Sequence, residues 1–112
     1  MAHPFHHAES TVRQFGGKPE DYIKIHSWFD ESKAFYANWQ HRALRHHTEG
    51  IFMCEQIHGV TIVNSDGREI PVRLIGEQHV REDLRWIPTV KDWLSNIQTV
   101  PWMRARPQLD PA

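Results

Sequence analysis

The chain has 112 residues, 39% hydrophobic and 24% charged, which fits one globular domain and excludes a disordered or fibrous chain. Its formal net charge is −1, so general nucleic-acid binding through a basic surface is not expected. A single cysteine, Cys54, excludes an internal disulfide. No apolar run is long enough for a signal peptide or a membrane span, so a cytoplasmic protein with no membrane partner is expected. Histidine is the anomaly: there are nine, none in a six-residue tag, alongside five tryptophans, a composition that suits a pocket or an interface.

The first predicted element is a short helix within residues 1–15, opening at Pro4, a residue suited to the first helical position. Phe5, Ala8, Val12 and Phe15 share its inner face, and His3, His6 and His7 point elsewhere. His3 and His7 are four apart, a spacing that lets two imidazoles chelate one ion. The plainer reading is a solvated, His-rich terminus. Gly16-Gly17 ends this helix, and Pro19-Glu20-Asp21 starts another with acids where the helix dipole favours them. That second helix carries Tyr22, Ile23, Ile25, Trp28 and Phe29 inward. His26 and Asp30 stand four apart within reach of each other, although Asp30 reads better as the N-cap of the next element.

A long central helix is predicted from Asp30 to His58, closed by Gly59 at a position that favours positive φ. Asn38, Arg42, Arg45, Glu49 and Gln56 form its wet face. Phe35, Trp39, Ala43, Leu44, Gly50, Ile51, Met53, Cys54 and Ile57 form a broad apolar arc. Gly50 inside a helix costs about 1 kcal/mol relative to Ala, so a close packing partner is expected there, or a break at Thr48-Glu49-Gly50. Ala43 and Gly50, two turns apart on one face, leave a groove that His46 and His47 flank, while His41 and Glu55 share an adjoining strip.

Beyond Gly59 the period becomes two, and residues 60–75 read as a β-hairpin turning at Asn64-Ser65-Asp66-Gly67. Pro71 confines its strand to an edge, and the hairpin must lie on the helices or pair with a second copy of the chain. Gly76 reads as the end of the second strand, with a short helix from about His79. There Asp83 and Glu82 fall four and three residues on, so one carboxylate can sit beside the imidazole and fix its tautomer. Acids favoured at a helix start are the alternative reading. A last helix opens with a capping-box pattern at Thr89–Asp92 and buries Trp93, Leu94 and Ile97. The fold class is therefore α+β: mostly helical, with a long central helix, short flanking helices and one β-hairpin. Residues 1–103 form a single domain and 104–112 a tail.

The opening His3-Pro4-Phe5-His6-His7-Ala8 and the runs FGGKPEDYIKIHSWFDESKA and HRALRHHTEGIF carry a likeness, as do NSDGREIPVRLIGEQHVREDL and IPTVKDWL. Over residues 3–97 they resemble a family of small, uncharacterised bacterial and phage proteins defined as a domain of unknown function. The resemblance implies that the histidines belong to the protein, and it implies no chemistry.

No Cys-x-x-Cys, His-Glu-x-x-His, phosphate-binding glycine loop or Gly-x-Ser-x-Gly is present. Cys54 reads as a small buried hydrophobe, and Arg42, Arg45, Arg73 and Arg81 as solvated or acid-paired. The leading functional expectation is a divalent-metal site, zinc or manganese, with His7, His46, His47 and His79 as ligands and Glu55 or Glu82 as catalytic carboxylates. With an open coordination position such a site could hydrolyse a phosphate or amide bond through metal-bound hydroxide. The rival is a non-catalytic binding or regulatory module of phage or bacterial origin. Its His, Trp and Arg surface would take a small-molecule ligand or a protein partner, and a homo-oligomer through the hairpin is a further option. Core histidines bonded to carbonyls or carboxylates remain the plain alternative to both.

Overall fold

A first helix, α1 (Pro4–Phe15), opens at Pro4 as expected, with the imidazole of His3 accepting from the Phe5 amide as its cap. Its buried face is His7, Ala8 and Thr11, with Val12 and Phe15 partly covered and Phe5 largely exposed. His7 therefore points inward, not to water. After a short 3-10 turn at Pro19–Asp21 comes α2 (Ile23–Asp30), which buries Ile25, His26, Trp28, Phe29 and Asp30. The computed structural model describes residues 3–105; the greater part of the expected tail, 106–112, lies outside them.

The expected long helix over 30–58 is divided. Asp30 ends α2 and makes no capping bond; two 3-10 turns follow, at Glu31–Ala34 and Trp39–Leu44. A separate helix, α3 (Thr48–His58), begins only after the extended residue His47. His47 itself stops the continuation: its Nδ1 accepts from the Gly50 amide at 2.9 Å, and its Nε2 lies 3.2 Å from the Leu44 carbonyl. The apolar arc drawn for one continuous helix does not survive. Phe35, Trp39, Leu44, Met53 and Ile57 are exposed, whereas Gly50, Ile51 and Cys54 face the core. Gly59 closes α3 at φ 101°, as its sequence position suggests.

Gly50 is explained by the backbone beside it, because a Cβ there would fall on the carbonyl of Arg45. Gly50→Ala is expected to cost about 2 kcal/mol through overpacking, read as a lowered urea midpoint. A midpoint equal to that of the wild type would mean this close approach is absent in solution.

The hairpin is shorter than its sequence pattern, with β1 (Thr61–Val63) antiparallel to β2 (Glu69–Pro71) and Ile62 opposite Ile70. It lies on the helices. Asn64 Oδ1 accepts from the amides of Asp66 and Arg68, while its Nδ2 donates to Tyr22 Oη and the Phe15 carbonyl. Asp21 and Asp66 complete the docking by accepting from Ser65 and from the Gly17 amide. Helix α4 (Val72–Leu84) starts directly after Pro71, so Gly76 lies inside a helix rather than at the end of a strand. A Cβ on Gly76 would stand 3.1 Å from Phe29 Cζ and 3.3 Å from Ile51 Cγ2, which shows how closely α4 seats on α2 and α3. The last helix, α5 (Val90–Leu94), carries the expected capping box between Thr89 and Asp92. Only Trp93 of its predicted inner face is partly covered; Leu94 and Ile97 are exposed. Among the described residues no helix is long and apolar enough to cross a membrane.

Candidate metal centre

Four buried imidazoles meet where α1, α2, α4 and the loop before α3 converge. Their side chains are His7 from α1, His26 from α2, His46 from the loop and His79 from α4. Asp30, the last residue of α2, and Asp83, one turn after His79, add carboxylates whose side chains are 6% and 2% exposed. Asp30 thus holds a buried place in this cluster instead of capping a helix.

The atoms converge in one small volume. His46 Nε2 lies 2.9 Å from Asp83 Oδ2 and 3.7 Å from Asp30 Oδ1. His79 Nε2 lies 3.3 Å and 3.6 Å from the same two oxygens. These separations bracket the edge of a tetrahedron of zinc ligands, about 3.3 Å for bonds near 2.0 Å. Asp30, His46, His79 and Asp83 each present one ligand atom, all four within 4.8 Å of one another. Both oxygens of Asp30 and the Nε2 of His79 are buried without a hydrogen-bond partner. Such atoms carry an uncompensated desolvation cost unless something else meets them.

Around these four stands a shell of hydrogen bonds. His79 Nδ1 is 2.9 Å from His26 Nδ1, and His26 Nε2 is 2.8 Å from Thr11 Oγ1. Asp83 Oδ1 faces His7 Nε2 at 3.2 Å and Arg42 at 3.7 Å. His7 Nδ1 meets Glu82 at 2.7 Å, and Ser10 also donates to Glu82. His7, His26 and His79 also come within reach of a common ion, but their rings do not converge on one. The ring of His26 lies within 23° and 24° of the planes of His7 and His79, at centroid distances of 5.4 Å and 5.2 Å. The Nδ1 atoms of His26 and His79 face each other at 2.9 Å, so each is taken up by the other.

Burial sets the protonation of this cluster. It lowers His26 to about 2, with the neighbouring imidazoles of His79 and His7 adding to the effect. It lowers His46 to about 4, only partly offset by the hydrogen bond to Asp83. For His7 burial also opposes the charge, but its contacts with the carboxylates of Asp83 and Glu82, which accept from the ring, outweigh it and raise the pKa. Asp83 is held well below the usual carboxylate range, because the imidazoles of His46, His7 and His79 gathered round it outweigh its burial. Asp30 is lowered by His79 and His46 in the same way.

Of the side chains singled out in the sequence, His7, His46, His79 and Glu82 are brought together. His47 is spent on capping α3, and Glu55 lines a surface cavity with Phe52, Arg73 and Glu77; neither joins the cluster. Glu82 touches His7 and not the four-atom centre. Cys54 is fully buried and its thiol is pushed up to about 12 by burial, so it is an inert core group. The sequence offers Asp30 as a cap or as a partner of His26, and Asp83 as a partner of His79. His26 was read only as a possible partner of Asp30. The i, i+4 spacing of His79 and Asp83 was the available signal for the centre; nothing local marked Asp30 as its other carboxylate.

The fold and the centre define a small α+β domain built around a buried imidazole–carboxylate cluster. The chain belongs to the family described as a domain of unknown function (DUF6915), whose model matches residues 2–103. No curated protein and no solved structure matches it.

Proposed function

We propose that this chain is a metal-stabilised binding domain, with one divalent cation held by Asp30, His46, His79 and Asp83. The observation that carries this reading is the convergence of four ligand atoms within 4.8 Å of one another, with both oxygens of Asp30 and the Nε2 of His79 otherwise unpartnered. Two carboxylates balance the charge of a divalent ion, and two imidazoles among only four ligands favour zinc over manganese, which prefers six oxygen-rich ligands. Four buried ligands leave no open coordination position, so a structural role fits better than metal-dependent hydrolysis.

The ion would join both ends of the segment 31–45, since Asp30 precedes it and His46 follows it. That segment presents Phe35, Tyr36, Trp39 and Leu44 to solvent. Exposed aromatics on a loop fixed at both ends support recognition of a protein partner. The test uses protein purified without nickel resin, melted with and without zinc and manganese. Zinc at a hundredfold excess over its dissociation constant should add about 2.7 kcal/mol of stability. A chelator should at the same time accelerate proteolysis within residues 31–45. If neither ion shifts the melting transition, the imidazole–carboxylate cluster is a metal-free polar core and this reading fails.

A further inference from the structure

The hydrogen bonds behind His79 run in only one direction. Gln78 Nε2 lies 2.9 Å from the His7 carbonyl and 3.2 Å from Glu82 Oε1, both pure acceptors, so the amide nitrogen faces them and Oε1 faces Thr11. The single hydroxyl proton of Thr11 lies between Gln78 Oε1 at 2.7 Å and the His7 carbonyl at 3.0 Å. Neither of these oxygens can donate, so Thr11 keeps no proton for His26. At 2.8 Å, His26 Nε2 must then be the donor to Thr11 Oγ1. His26 is fully buried and has no carboxylate among its hydrogen-bond partners, so its other nitrogen is bare. That bare Nδ1, 2.9 Å from His79 Nδ1, requires the proton of this contact to sit on His79.

We propose that the relay Gln78–Thr11–His26 is a positioning device that fixes His79 with its proton on Nδ1. The Nε2 lone pair then faces Asp30 and Asp83, ready for a divalent cation. This inference rests on the metal reading above. Neither Thr11 nor His26 touches the ion; both act through His79. A carboxylate or carbonyl usually orients a metal-bound imidazole. Here a second imidazole does so, itself polarised from a backbone carbonyl two side chains away.

The test has two parts. Long-range nitrogen–proton NMR of wild-type, metal-free protein should show a proton on His79 Nδ1 and a bare Nδ1 on His26; a bare Nδ1 on His79 overturns the relay. Zinc affinity is then measured by competition with a chromophoric chelator. Thr11→Val should weaken binding 10- to 100-fold, with Thr11→Ser restoring it. Zinc binding by Thr11→Val within twofold of wild type also overturns the relay, while leaving the metal centre intact. Absence of zinc binding by wild type, with the tautomers as drawn, instead removes the metal reading and leaves the relay as a structural network. Should Thr11→Val fail to fold, the wild-type tautomer decides.

Discussion

Asp83→Asn is expected to destabilise the protein by about 3–5 kcal/mol, the scale for removing one partner from a buried charged network. Asp83 is the hub: Oδ2 meets His46 and His79, and Oδ1 meets His7 and Arg42. An amide keeps the volume but loses the charge that Arg42 and His7 face. It also removes one of the two carboxylates that would balance a divalent ion, so the zinc-dependent rise in melting temperature should vanish as well. Urea unfolding of wild type and variant measures the first effect directly. A loss below about 1 kcal/mol, the scale of an exposed ion pair, would contradict this role for Asp83.

Acid should destabilise the metal-free protein before most carboxylates titrate. His26 and His46 have folded pKa values of about 2 and about 4, below the unfolded value of about 6.5. Their contribution is complete above pH 6.5 and is lost as pH falls toward the folded values, because the unfolded chain binds the protons first. His41 and His47 are lowered by burial in the same sense. His7 has the opposite sign: its raised pKa gives stability below pH 6.5 that is lost as pH rises through the folded value. The depressed histidines outnumber it. Between pH 6.5 and 5 each fully buried neutral histidine costs about 2 kcal/mol, at about 1.4 kcal/mol per pH unit. The melting temperature should therefore fall steeply from pH 7 to 5, and more steeply with zinc, since protons compete for its ligands. A flat profile over this range would mean the imidazoles are not buried neutral.

Local rules carried the ends of the chain well. Pro4 opens α1, Gly59 closes α3, and the Thr89–Asp92 capping box starts α5 because each depends on residues within one turn. The division of residues 30–58 was harder to read. Its cause is partly the cap that His47 makes to Gly50 and partly the demand that Asp30 and His46 meet across the fold. Helical spacing alone supports a continuous helix there. Gly76 was misread for a related reason: the glycine serves close packing on Phe29 and Ile51, a tertiary contact with no local sign. Three members of the centre were legible: His79 and Asp83 are one turn apart on α4, and His46 stands in the His-rich run before α3. Asp30 and His26 were less so, since both meet His79 about fifty residues downstream, beyond the reach of periodicity.

Crystals grown from zinc-loaded protein, with anomalous diffraction recorded on both sides of the zinc absorption edge, test the proposed centre most directly. One strong peak bounded by Asp30, His46, His79 and Asp83 is the expected result. A peak confined to exposed histidines such as His3 or His6, with none among these four, would contradict it.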